Sequence, residues 1–147
     1  MSEPENCEKL LRHWLARTVR TLELHYKAAH KANRKNYAVG AVGIVGGIAV
    51  ALNSLYCGEL KTIVPVVGGV AAALATAFQL VFQWKNQAEA HKAAAIQMGQ
   101  IRRTIEYDLA FPEALNHQPA EIIREQINLV LPAAPRIPFD FYEEGSD

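Results

Sequence analysis

Charged residues stop abruptly at Asn36. From Asn36 to Gly58 (NYAVGAVGIVGGIAVALNSLYCG), and again from Thr62 to Trp84 (TIVPVVGGVAAALATAFQLVFQW), the chain carries no Asp, Glu, Lys or Arg, and only Glu59, Leu60 and Lys61 separate the two runs. Each run exceeds the roughly 20 apolar residues that cross a hydrocarbon core of about 30 Å. The pattern predicts two transmembrane helices, 36–58 and 62–84, joined by an outer turn at 59–61. Burial of both runs in a soluble protein fits less well. Gly40, Gly43, Gly46 and Gly47 in a water-exposed helix would each cost about 1 kcal/mol against Ala, whereas small residues are common in membrane helices because they let backbones approach closely.

Outside the runs the period changes. After Pro4 there is neither Pro nor Gly as far as Lys35. Leu11, Leu15, Leu22 and Ala29 share one face there, flanked by Trp14 and Val19, which predicts an amphipathic helix over 1–35 that packs on a neighbour, with binding to the membrane surface as the alternative. After the second run a long helix is expected from about Trp84, taken as cytoplasmic over 85–110, with His91, Ala94, Met98, Ile101 and Ile105 as its apolar stripe. Phe111-Pro112 ends it. Within 111–131 a shorter helix fits Pro119 to Leu131, with Pro119 at a first helical position and Ile123, Ile127 and Val130 on one face. Pro132, Pro135 and Pro138 then recur every third residue in a 132–147 tail, as in an extended polyproline-like segment. Phe139, Phe141 and Tyr142 are expected to dock onto the chain's own helices, with docking onto a partner as the alternative. The fold class is therefore an all-α membrane protein: a two-transmembrane helical hairpin with long cytoplasmic helical extensions on both ends and a short C-terminal helix.

Charge adds an orientation. The 15 Lys and Arg balance 15 Asp and Glu, but eight of the cations precede the first run and only Lys61 lies between the runs. Lys27, Lys31, Arg34 and Lys35 stand before the hairpin, and Lys85, Lys92, Arg102 and Arg103 after it. Positive flanks stay cytoplasmic, so both termini are expected inside. Tyr37 and Trp84 then anchor the cytoplasmic interface and Tyr56 the outer one. Zero net charge gives no case for nucleic acid as the main partner. The acidic N-terminus MSEPENCEKL is not a cleaved signal peptide, and the first run is expected to act as an uncleaved membrane signal.

Reading the runs by sevens exposes seams. Thr62, Gly69, Thr76 and Gln83 form one series and Pro65, Ala72 and Gln79 another, and all are small, polar or proline. In the first run Gly40 and Gly47 share a series with Asn33 and Ser54, Gly43 shares one with Asn36 and Cys57, and Gly43 and Gly47 make a GxxxG pair. Two readings stand. Gly40, Gly43, Gly47, Gly69 and Ala72 form a packing seam within the hairpin or between copies. Alternatively, Thr76, Gln79 and Gln83 face water in an assembled pore, since an amide left bare in a membrane costs several kcal/mol. No acidic or basic residue lies in either run, which argues against a proton relay or a charged selectivity ring.

Candidate chemistry is sparse. GAVGIVGG matches neither GxxxxGK[ST] nor GxGxxG, and there is no GxSxG, HExxH or CxxC. Cys7 and Cys57 are not expected to meet. His25, His30 and His91 read first as structural or surface residues, with metal ligation or pH sensing as the alternative. No catalytic residue, metal ligand or cofactor site is assigned, and catalysis is not expected.

A basic helix containing Tyr26 and His30 leads into the first run. After the second come AEAHKAAA (Ala88 to Ala95) and IRRTIE (Ile101 to Glu106). In this layout the chain resembles the SLATT family, the SMODS and SLOG-associating two-transmembrane effector domains of bacteria, over about Leu10 to Leu109. The resemblance implies a membrane effector of the bacterial inner membrane that oligomerises and perforates or depolarises it, causing abortive infection in antiphage defence. It also implies a sensor or nucleotide-signalling partner encoded separately. The alternative reading is a structural membrane anchor whose cytoplasmic helices recruit a partner without forming a pore.

Overall fold

The computed structural model describes residues 3–53, 63–111 and 117–138. Four helices account for almost all of them, and none of the described residues is in a strand. They are α1 (Glu3–Asn53), α2 (Ile63–Phe82), α3 (Trp84–Ala110) and α4 (His117–Ala133). The chain divides into two compact units, Met1–His30 with Ala88–Asp147, and Lys31–Gln87.

The first unit has a core of large side chains. Leu11 from α1, Met98 and Ile105 from α3, and Ile123 from α4 are all almost completely buried. Cys7, Ile101 and Ala120 complete the buried cluster, with Trp14, Leu15, Leu22, Leu109, Ile127 and Val130 packed around it. Every member of the expected α3 stripe is buried. Leu22 Cδ1 lies 3.5 Å from where a Cβ on Gly99 would stand, and His25 meets His91. As α1 advances α3 retreats, so the two run antiparallel.

The second unit is built the other way round. In α2 only Gly68 and Ala75 are buried. Val42, Ile44, Val45 and Ile48 of α1 and Val66, Val70, Leu74 and Leu80 of α2 are exposed. Two helices are long and apolar enough to cross a membrane, and only 6% and 11% of their apolar windows are buried. The core helix of a soluble protein would be mostly buried.

Element limits differ from the sequence expectation in three places. No helix end falls at 35/36: neither proline nor glycine lies between Ala32 and Val39, and α1 runs on unbroken to Asn53. The long apolar element ends at Phe82 and α3 begins at Trp84, with Gln83 between them at φ 44°. Gln83 still donates its N–H to the Gln79 carbonyl (3.1 Å) and accepts from Gln87 (3.0 Å), so the junction is a single left-handed residue. The last helix starts two residues before Pro119 and continues through Pro132. Proline's φ suits a helix, and the Ala134 N–H closes the final turn on the Val130 carbonyl (3.0 Å). The outer turn at 59–61, Ser54, Tyr56, Cys57, Thr62, Pro112 and the tail aromatics Phe139, Phe141 and Tyr142 lie outside the described residues.

Candidate functional site

Two constellations stand out, one in each unit. In the second unit α1 and α2 meet through small residues. A Cβ on Gly40 would stand 3.2 Å from Gln79 Nε2, and one on Gly43 would stand 3.5 Å from the Ala75 Cβ. A Cβ on Gly46 would lie 2.9 Å from the Gly68 carbonyl oxygen, and one on Gly68 would lie 2.8 Å from Val50 Cγ2. The pairings 40–79, 43–75 and 46–68 make the helices antiparallel. Their backbones come so close at Gly46 and Gly68 that no side chain fits between them.

Within this helix pair two of the expected seam positions do not lie at the contact. A Cβ on Gly47 or on Gly69 would meet nothing within 4 Å. Gly46 and Gly68, their immediate neighbours, occupy the contact instead. Successive helical residues point about 100° apart, and glycine at both positions leaves the sequence without a signal for which one faces the partner. Ala72 does lie in the seam: its Cβ is 3.7 Å from where a Cβ on Gly46 would stand.

The three candidate pore residues do not act as one stripe within this unit. Gln79 is half-buried against α1, and its amide donates a long bond (3.4 Å) to the Asn36 carbonyl. Thr76 is exposed and its hydroxyl donates to the Ala72 carbonyl one turn back (3.0 Å). Gln83 is exposed at the left-handed junction and accepts from the Asn86 amide (3.2 Å). The two heptad series thus separate. Pro65, Ala72 and Gln79 lie towards α1, and Gly69, Thr76 and Gln83 lie on the exposed side. Of the interface anchors, Tyr37 is exposed and Trp84 stacks on Phe82 with ring centroids 5.1 Å apart.

In the first unit the notable pair is His25 and His91. Both are buried, and their Nδ1 atoms lie 3.0 Å apart. One Nδ1 must donate and the other accept, so the two rings hold opposite tautomers or share one added proton. Burial, and then the neighbouring His91, pushes His25 below its ordinary pKa, while burial alone does so for His91. Both are therefore neutral near pH 7. His91 lies on the expected α3 stripe, but its partner is 66 residues away and no local pattern links them. The signal was indirect: both histidines continue apolar faces, and two faces that pack must bring their polar members together. His30 is exposed and takes no part. Among the described residues no group of three or more His, Cys, Asp or Glu is placed to hold a metal ion.

Comparison with protein-family models, curated proteins and solved structures finds no match to this chain.

Proposed function

We propose that this chain is a two-span membrane effector of the bacterial inner membrane, with both termini cytoplasmic. In this reading copies assemble through their helices and open the bilayer on a signal from a separately encoded partner, so that an infected cell dies before phage matures. The observation that carries the membrane part is the inversion of the second unit. Its small residues face inward and its large apolar side chains face outward, the arrangement suited to lipid rather than water. The effector role rests on the SLATT resemblance of the layout from Leu10 to Leu109.

Two antiparallel helices enclose no channel, so a pore needs several copies. Its wall is then the exposed series Gly69, Thr76 and Gln83, with Gln79 holding the hairpin together. Reconstituted protein should release dye from liposomes, and Thr76→Val with Gln83→Leu should reduce release at equal insertion. Unchanged release from that variant overturns the wall assignment.

One observation favours the anchor alternative. The Thr76 and Gln79 side chains already bond within the helix pair, which leaves less need for water. Absence of current or leakage from inserted, assembled protein decides for the anchor.

A further inference from the structure

Two cavities in the first unit adjoin along α1 and share Arg17, Thr21 and Leu131. One, of about 270 Å³, reaches Trp14, Met98 and Arg124. The other, of about 490 Å³, is bounded by Arg20, His25 and the segment from Ala134 to Ile137, which brings Arg136 over α1. Taken together they fall within the size range of small-molecule sites, about 300–1,000 Å³.

Their charge has one sign. Arg17, Arg20, Arg124 and Arg136 line the groove, and among the described residues no Asp or Glu does. Glu23 on α1 and Glu121 and Glu125 on α4 sit on the same helices but outside both linings. The ion pairs Lys9–Glu5, Arg12–Glu8 and Arg102–Glu106 involve none of the groove arginines. The four guanidinium groups are exposed, and among the described residues no carboxylate lines the concavity with them, so they present a positive field into which an anion is drawn. Their forked donors match phosphate oxygens two at a time. Thr18, Thr21 and Asn128 add neutral polar groups. Trp14, Met98 and Ile127 provide an apolar seat beside the charges.

We propose that this groove binds a phosphate-bearing anion, gripped by Arg17, Arg20 and Arg136, with any apolar or aromatic portion seated against Trp14. His25 forms part of the wall and hydrogen-bonds His91 through Nδ1, so it links the site to α3. The inference stands apart from the membrane reading. Its probes are soluble and its readout is binding, so either proposal can fail without the other.

The test uses the full chain in neutral detergent, titrated calorimetrically with pyrophosphate and with ATP at fixed ionic strength. Saturable one-to-one binding is expected. Arg17→Ala with Arg136→Ala should weaken it about tenfold or more, by analogy with loss of charge-paired contacts elsewhere. Arg102→Ala with Arg103→Ala, outside the groove, should leave it within about twofold, and Arg17→Lys with Arg136→Lys should restore part of it. An unchanged thermal midpoint confirms that the variants remain folded. In nanodiscs, competition by phosphatidylglycerol but not phosphatidylcholine identifies a lipid headgroup as the source. Equal binding of the soluble probes in both identifies a free phosphorylated solute. No saturable binding of either probe overturns the proposal, as does an equal loss in the Arg102/Arg103 control.

Discussion

The same helix, α1, serves two opposite kinds of packing. Over its first thirty residues it buries Leu11, Leu24, His25 and Ala29, and the partners from α3 and α4 are large. Beyond that it turns Gly40, Gly43 and Gly46 to α2 and leaves Val42, Val45 and Ile48 outside. The first arrangement is what water selects, since removing large apolar surface from it is the main favourable term in folding. The second gains nothing from that term. It suits a surrounding as apolar as the side chains themselves, where close backbone contact and hydrogen bonds hold helices together.

The largest effect should come from setting one large side chain of each unit against the other. Ile105 is completely buried, and Ile105→Ala should cost about 2–5 kcal/mol. Leu80 is 71% exposed, and Leu80→Ala should stay within about 0.5 kcal/mol. Unfolding in lipid or detergent reads both. A cost at Leu80 comparable with that at Ile105 breaks the contrast and places Leu80 in a packed contact between copies.

Adjacent glycines sharpen the contrast further. Gly68→Ala drives a methyl against Val50 and the Gly46 carbonyl and should cost about 1–3 kcal/mol. Gly69→Ala meets open space and should gain up to about 1 kcal/mol from helix propensity. Equal effects at the two positions contradict the α1–α2 contact as described. Gly46→Ala and Gly47→Ala repeat the comparison on the other helix.

These glycines also mark where the sequence stops being legible. The α3 stripe His91, Ala94, Met98, Ile101 and Ile105 could be read because mostly polar residues occupy its other faces, with Ile96 and Tyr107 as exposed exceptions. The small residues of 36–58 and 62–84 surround their helices, and apolar residues lie on the exposed faces as well as against the partner helix, so periodicity narrows the seam only to within one position. The heptad series of Pro65, Ala72 and Gln79 was recognisable, but its relation to Thr76 and Gln83 depends on where α1 lies. The arginine groove and the histidine pair depend on α1, α3 and α4 meeting, which no single stretch encodes.

The histidine pair gives the first unit a pH dependence that the small-residue contact lacks. Both imidazoles are held below the ordinary value of 6.5. Well above pH 6.5, from about pH 7.5, neither folded nor unfolded chain is protonated there, and the contribution to stability is complete. As the pH falls below that value the unfolded chain takes up protons that the folded one refuses. Stability then declines by up to about 1.4 kcal/mol per pH unit for each histidine, until the lowered folded values are passed. His91→Leu alone leaves His25 without its partner and should cost about 1–3 kcal/mol at pH 7.5. His25→Leu with His91→Leu should recover most of that and flatten the profile between pH 7 and 5. A double variant with an unaltered acid decline shows that other groups set it.

The smallest effect is expected at the junction of α2 and α3. Gln83 has φ 44°, yet its N–H and carbonyl both take part in i to i+4 bonds with Gln79 and Gln87. A left-handed residue with a Cβ costs roughly 1–2 kcal/mol, part of it offset here by the bond from the Asn86 amide to the Gln83 side chain. Gln83→Gly relieves the steric cost but loses that bond and gives the unfolded chain more freedom. The balance should be a gain of less than about 1 kcal/mol. Gln83→Val tests the same backbone in the opposite sense, because a β-branched side chain fits the left-handed region worst, and it should cost more than the glycine variant gains. If valine is tolerated as well as glycine, the chain passes from α2 to α3 without a left-handed residue. The exposed series from Gly69 through Thr76 would then continue unbroken into α3.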